Sequence, residues 1–414
     1  MDMDKIKRRK PLISSSIKST DLQEVKSDYK SFWSASCCAN CMILHILAVL
    51  VLLFILPAPI EPRPFHFSTE DCPIFSGCLS VNDRLKKSER LFENEIVGPE
   101  ALTLDNEGSV YTGLADGRLI RLSKDLSSFY NVTWTGNHRQ VDCGSEKTEN
   151  QCGRPLGMQF HHRLKHLLYI ADSSIGLVSY NTKTTELKVL LRSGSEVSGS
   201  PIIFLNDLVV LRNDTIIISQ SSCKYTRAEN RYEVLEGKAN GRLLYYNLLD
   251  DSYGVLLDEL YFSNGICLSF DESSVLVVET TRARIFKYHL MGNHAGETEM
   301  FVDNLPGLPD NISPSSTGGY WVGIAAVRTS ALEFMARTPI FRKFLSKWLF
   351  MVTLLEMVLP QHSMILELSA NGTIVQSLHD YGGDVTRATS HVLDLGDKLL
   401  IGSYSAPFLL NLQL

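Results

Sequence analysis

Leu308-Pro-Asp-Asn-Ile-Ser-Pro-Ser-Ser-Thr-Gly-Gly-Tyr-Trp-Val-Gly323 joins a polar head, a Ser/Gly turn and an apolar strand in one stretch. The head carries two oxygen-bearing side chains, Asp310 and Asn311, and the strand is Tyr320–Ile324. The same order recurs along the chain at steps of roughly 45–60 residues. Ser263-Asn264-Gly265 opens a copy that turns at Asp271–Ser274 before Val275–Glu279. Leu205-Asn206-Asp207 opens another, turning at Arg212–Asp214 before Thr215–Ser219. Gly98-Pro99-Glu100 opens a third, turning at Asp105–Gly108 before Ser109–Thr112. Arg154-Pro155-Leu156-Gly157 has the frame without the oxygen donor, and His391–Ser403 closes the series.

Short strands and turns at such a period describe a β-propeller, each repeat being one four-stranded sheet whose innermost strand lines a central channel. The expected fold is all-β: a six-bladed propeller over residues 89–414, with one N-terminal transmembrane helix and a helical insertion in blade five. Residues at one phase of the repeat then lie at one height around the axis. Glu100, Asn206, Asn264, Asp310 and Asn311 are therefore expected to converge on one point. Taken singly, each of these side chains reads more readily as a hydrogen-bond partner for channel water than as a metal ligand. Four blades with an oxygen donor at one phase favour a cation instead. Hard oxygens without Cys or His suit Ca²⁺, which takes six to eight such ligands.

The chain has 414 residues, 44% hydrophobic and 21% charged, with a formal net charge of −6. This is ordinary globular composition and gives no reason to expect nucleic acid as a partner. Residues 1–41 are polar and carry eight Lys/Arg, including the run Lys7–Lys10, and read as a cytosolic tail. Met42–Ile60 has no charge, which is enough to cross a hydrocarbon core of about 30 Å. A cleaved signal peptide is the rival reading, weakened by the long polar leader and by Pro57-Ala58-Pro59. Basic residues before the span and Glu61, Glu70 and Asp71 after it predict a type II topology, with the propeller outside the cell or in the lumen of the endoplasmic reticulum. Residues 61–88, rich in Pro and Ser, are expected to form a stalk.

Cys37, Cys38 and Cys41 lie on the cytosolic side of the span, as palmitoylation sites or inert thiols. Cys143 and Cys152 flank a polar excursion between blades and are the expected disulfide, with Cys72 and Cys78 a weaker pair. Cys223 and Cys267 read as buried thiols. Asn131, Asn213 and Asn371 head glycosylation acceptors in a lumenal domain. Asn311-Ile-Ser also fits the pattern but is assigned inward. Arg90–Ile96 is expected to close the ring against the last blade. Lys224–Lys238 in blade three reads as an exposed loop over one channel mouth. Ser330–Gln361 interrupts blade five. Within it Arg342, Lys343, Lys347 and Glu356 sit among apolar residues, which disfavours a second span and predicts an amphipathic helix or helix pair, packed as a lid or lying on the bilayer.

Pro99-Glu100, Leu205-Asn206-Asp207, Asn264-Gly265-Ile266 and Pro309-Asp310-Asn311-Ile312 with Gly319–Gly323 resemble the strictosidine synthase-like, paraoxonase and gluconolactonase group of six-bladed propellers. Cys152–Gly157, Val278–Arg284 and Ser377-Leu-His-Asp380 resemble a membrane-anchored branch of that group. The resemblance spans essentially the whole ectodomain. It implies a calcium-binding propeller with weak arylesterase or lactonase-type activity, whose calcium ligands fall on Glu100, Asn206, Asn264, Asp310 and Asn311. Two departures stand out. Leu156 occupies the place of the paraoxonase catalytic His, with His161 and His162 several residues later. Ser390 stands near the place of the strictosidine synthase Glu, which argues against alkaloid condensation. Gluconolactonases work without the His by using a carboxylate beside the metal, a part open here to Asp310 as catalytic base. The expected function is calcium-dependent hydrolysis of a small-molecule ester or lactone. The alternative is a non-catalytic propeller with structural calcium whose rim loops bind a protein or lipid.

Overall fold

The computed structural model describes residues 40–48, 51, 56–68, 71–137, 142–348, 353 and 361–414. Six four-stranded antiparallel sheets follow one another along the chain. Blade I contains Leu102–Leu104, Val110–Gly113, Arg118–Leu122 and Phe129–Trp134. Blade II contains Pro155–Phe160, Leu167–Asp172, Gly176–Asn181 and Leu187–Arg192. Blade III contains Phe204–Val210, Thr215–Ser222, Gly241–Asn247 and Tyr253–Leu260. Blade IV contains Ser263–Leu268, Ser274–Glu279, Arg284–His289 and Thr298–Val302. Blade V contains Gly307–Pro314, Tyr320–Val327, His362–Leu368 and Ile374–Tyr381.

Blade VI takes Val392–Asp394, Lys398–Ile401 and Leu409–Gln413 from the chain's end and its outer strand, Glu89–Leu91, from before blade I. The pairing Glu89↔Asn411 to Leu91↔Leu409 joins the two ends of the domain and removes the free edges of an open sheet. The closing strand is shorter than the expected Arg90–Ile96, and Ile96 is instead buried beneath blades VI and I with Leu400 and Leu409. Second strands such as Ser274–Glu279 are buried at every residue, because both faces of each sheet are covered by neighbouring blades. This is why those segments read as continuous apolar runs.

Residues 61–88 do not stand free as a stalk. Phe65, Phe67 and Leu79 enter the apolar core shared with blades IV and V, and Leu85 is fully buried among residues of blades V and VI. Arg282 lies over the Phe65 ring at 4.9 Å and Arg328 over Phe67 at 4.6 Å. The aromatic and aliphatic residues in a Pro-rich stretch therefore turn it into a strap along the propeller.

The predicted span Met42–Ile60 is helical over 40–48, while 49–50 and 52–55 lie outside the described residues, as do Cys37 and Cys38. Among the described residues no helix is long and apolar enough to cross a membrane. The far end of the span is corrected: Ile60 is 1% exposed and packs with Tyr225 and Leu235 of the propeller.

Lys224–Lys238 is not an exposed loop either. It forms a short turn at Arg227–Glu229 and a helix, Asn230–Glu236, with Glu233, Leu235 and Glu236 buried. Charge in the sequence is absorbed locally there: Glu233 accepts from Ser222 and Asn240, and Glu236 from Lys224. In blade V, helices Ser330–Arg337 and Pro339–Ser346 lie within the expected insertion, while 349–352 and 354–360 are outside the described residues. Cys143 and Cys152 are joined as a disulfide; Cys72, Cys78, Cys223 and Cys267 are free thiols.

Leu85→Ala distinguishes a strap from a stalk. Removing this side chain from a packed site is expected to cost about 2–5 kcal/mol, read as a lowered midpoint in urea; a midpoint unchanged from wild type indicates a free stalk.

Candidate metal centre

Each inner strand begins at one end of the channel, so residues at its start share one level. Glu100 precedes blade I, Asn206 lies on blade III, Asn264 on blade IV, and Asp310 and Asn311 on blade V. All five are between 2% and 5% exposed. Asn264 Nδ2 donates to Asp310 Oδ1 at 2.7 Å, and Asn311 Nδ2 donates to Glu100 Oε1 at 3.4 Å. The structure thus joins blade IV to blade V, and blade V to blade I, through the predicted side chains themselves.

The amide groups are held in one orientation. Asn206 Nδ2 donates to Ser221 Oγ at 2.9 Å, and Ser221 Oγ donates onward to the Ser263 carbonyl. Asn264 Nδ2 donates to Thr280 Oγ1 at 2.9 Å, and Thr280 donates to the Pro309 carbonyl. With each NH₂ occupied, the carbonyl oxygen is turned the other way. Asn206 Oδ1, Asn264 Oδ1, Asn311 Oδ1 and Glu100 Oε2 are all buried with no hydrogen-bond partner among protein atoms. Buried acceptors normally find partners, and leaving one unmade costs about 1–3 kcal/mol. Four such acceptors from four predicted ligands fit a hard cation that accepts what the protein does not donate.

Backbone packing sets how close these groups stand. A Cβ on Gly265 would lie 2.4 Å from Asn311 Cα, and one on Gly402 would lie 2.4 Å from the Glu100 carbonyl oxygen. Only glycine lets blade IV approach blade V, and blade VI approach blade I, at the level of the site.

Electrostatics agree with the geometry. Burial raises the Glu100 carboxyl, and the neighbouring Asp310 raises it further; Arg154 and Arg227 oppose the shift. Asp310 is also raised by burial, against its hydrogen bonds. Arg154 is itself buried and donates to the Gly98 and Tyr404 carbonyls, tying the two ends of the ring together. One residue further along its strand, Asp207 is pushed up to about 7 by burial while accepting from the Leu208 and Ile266 amides. Below this level the inner strands enclose a channel of about 350 Å³ lined by Asp207, Cys267, Ser313 and His391.

Above the ring lies an apolar roof. Leu156, Phe204 and Phe262 pack together with Ile203 and with Val234 of the helix Asn230–Glu236; the two Phe rings meet edge to face at 5.7 Å. Arg227 Nε donates to the buried Glu149 at 2.8 Å. Leu156 therefore belongs to a wall, not to the reacting groups. His161 and His162 lie on the opposite side of blade II, where His161 Nε2 meets Asp214 Oδ1 at 3.0 Å and its Nδ1 accepts from the Arg163 and Leu164 amides. Ser390 is buried beside blade V, and its carbonyl accepts from the Asn311 amide. Asn131, Asn213 and Asn371 are exposed, whereas Asn311 is buried.

Ser221, Thr280, Arg154 and the roof residues did not emerge from the sequence pattern. A signal for two of them is present: Ser221 follows Asn206 by 15 residues and Thr280 follows Asn264 by 16.

Comparison with known proteins agrees with this architecture. The strictosidine synthase-like N-terminal model matches residues 77–122 and the strictosidine synthase model matches residues 206–293. Adipocyte plasma membrane-associated protein from Danio rerio is 38% identical over 375 residues, covering 89% of this chain and 88% of that protein. A gluconolactonase from Xanthomonas campestris superposes with a TM-score of 0.53 at 14% identity, covering 87% of this chain and 99% of its own. A calcium-binding protein, regucalcin, from Agrobacterium tumefaciens does so with a TM-score of 0.50 at 14% identity, covering 78% and 92%. The fold is that of the strictosidine synthase-like propellers. Within that class, the chain belongs to the adipocyte plasma membrane-associated protein family.

Two outcomes follow from the geometry. Ser221→Ala and Thr280→Val are each expected to weaken calcium binding by about 10-fold or more in isothermal titration, because the amide oxygens lose their fixed aim. The raised carboxyls fix the sign of the pH dependence. Without the ion the folded state holds protons that the unfolded state has released, so stability falls as pH rises above the ordinary carboxylate range. Calcium must displace those protons and binds more tightly as pH rises. The melting-temperature loss caused by chelator is therefore expected to be larger at about pH 8 than at about pH 6.

Proposed function

We propose that this protein is a membrane-anchored, calcium-dependent hydrolase of esters or lactones with weak arylesterase or lactonase-type activity. The observation that carries the reading is the set of unpartnered buried oxygens on Glu100, Asn206, Asn264 and Asn311, with Asp310 among them. These residues fit a calcium ion, which when bound supplies Lewis-acid polarisation of the substrate carbonyl and stabilises the developing oxyanion.

The chain's own groups account for the remaining steps. Asp310, held in place by the Asn264 amide at 2.7 Å, accepts a proton from the attacking water. As the acyl–oxygen bond breaks, that proton passes to the departing alcohol oxygen, so ester plus water gives acid plus alcohol. Leu156, Phe204, Phe262 and Val234 exclude water above the ring and suit an apolar acyl or aryl group. Val234 rides on the helix Asn230–Glu236, which makes that helix part of the apolar wall. Met42–Leu56 serves as the signal anchor in this reading. The propeller faces the cell exterior or the lumen of the endoplasmic reticulum, with Asn131, Asn213 and Asn371 as exposed acceptors for glycans.

The test uses full-length protein in detergent with phenyl acetate and δ-valerolactone. Chelator, Glu100→Gln and Asp310→Asn are each expected to lower kcat/KM by about 10²-fold or more. Hydrolysis indifferent to all three overturns the enzyme reading. Calcium that raises the melting temperature without any hydrolysis supports a structural ion in a binding propeller.

A further inference from the structure

The insertion in blade V exposes large apolar side chains that the fold leaves uncovered. Helix Ser330–Arg337 and helix Pro339–Ser346 form a pair whose inner side is tightly held. Ala336, Arg342, Leu345 and Ser346 are buried, and Arg342 donates to the carbonyls of Leu235 at 2.7 Å and Ala336 at 3.2 Å. The outer side is different. Phe334 is 56% exposed, Ile340 66% and Phe341 37%, and the Phe334 and Phe341 rings meet at 5.7 Å. Arg337 and Lys343 stand exposed on the same side, one helical turn from Phe334 and Ile340 respectively. Adjacent exposed apolar side chains rimmed by cations are the pattern of a helix that lies in a lipid headgroup region.

The path of the chain says what covers this face. The apolar run that begins at Met42 ends at Leu56, before Pro57-Ala58-Pro59, and residues just beyond it are pinned to the helix pair. Arg63 carbonyl accepts from Arg342, and the Phe65 amide donates to the Ala336 carbonyl at 3.1 Å. From Pro57 to Arg63 the chain makes six residue-to-residue steps, which span at most about 20 Å when fully extended. A bilayer holding the apolar stretch therefore lies within reach of the helix pair.

We infer that the helix pair Ser330–Ser346 is a second membrane contact, which sets Phe334, Ile340 and Phe341 into the headgroup region of an anionic bilayer. Arg337 and Lys343 complement its negative surface. This goes beyond the hydrolase reading and shares with it only the anchor. The same helix pair packs against the helix that carries Val234, so the docked face lies beside the roof of the ring.

The experiment places full-length protein in nanodiscs of phosphatidylcholine with or without about 30% phosphatidylserine, and replaces part of the lipid with brominated chains. Tryptophan is introduced in separate variants, Phe334→Trp, Ile340→Trp and, on a turn at the opposite end of blade III, Leu249→Trp. Leu249 is 76% exposed. Brominated lipid is expected to quench the added emission at 334 and 340 at least about twofold more than at 249, more strongly with phosphatidylserine, and less after Arg337→Glu with Lys343→Glu. Equal quenching at all three positions overturns the inference, including the case in which the face binds a protein. Protein that elutes apart from the discs overturns the anchor and the docking face together. Discs that retain the protein without quenching at 334 and 340 overturn the docking face alone.

Discussion

Four carbonyl or carboxylate oxygens, brought from different blades to one level and given no protein donor, are the constraint on which the rest of the structure depends. A fold pays for a buried acceptor only where something outside the chain repays it. Here the amides are turned by Ser221 and Thr280, the blades are drawn together at Gly265 and Gly402, and the two buried acids stand close enough that Asp310 raises the Glu100 carboxyl. Each feature is unfavourable or neutral without an ion. Together they form a ring of hard donors with two carboxylates, close to the charge a divalent cation needs.

The propeller supplies this arrangement because rotational repetition converts sequence phase into height along an axis. Closure of blade VI by Glu89–Leu91 holds the ring against opening, and Arg154 bonds across the same junction through Gly98 and Tyr404. Elements outside the repeat decorate the metal-side face. The strap through Phe65, the helix Asn230–Glu236 and the blade V helix pair meet there, with Arg342 bonded to all three. The segments that flank the ring and those that carry the proposed bilayer contact thus belong to one assembly of insertions.

Much of the repeat was legible because its signals are local. Turn residues at Asp105–Gly108 and Asp271–Ser274, with the polar heads before them and the apolar runs after them, mark the first two strands of their blades and the ligand phase within a few residues. The predicted ligands needed only that phase. The strap and the blade III helix were misread because their character is set by distant partners: Phe67 and Leu85 look like isolated apolar residues until blades IV to VI surround them, and Glu233 and Glu236 look solvated until Ser222, Asn240 and Lys224 pair with them. Ile60 shows the same effect at the end of the apolar stretch, where a residue assigned to lipid is buried by protein. The roof was invisible for another reason. Leu156, Phe204 and Phe262 each open a different blade, so no single window of sequence contains them.

The most direct test of the central claim is anomalous diffraction from crystals of the protein grown with calcium. The account predicts one strong peak in the channel, with Glu100, Asn206, Asn264, Asp310 and Asn311 oxygens at about 2.3–2.6 Å from it. A channel without a peak at that level in calcium-rich crystals, or a peak held by other residues, contradicts it.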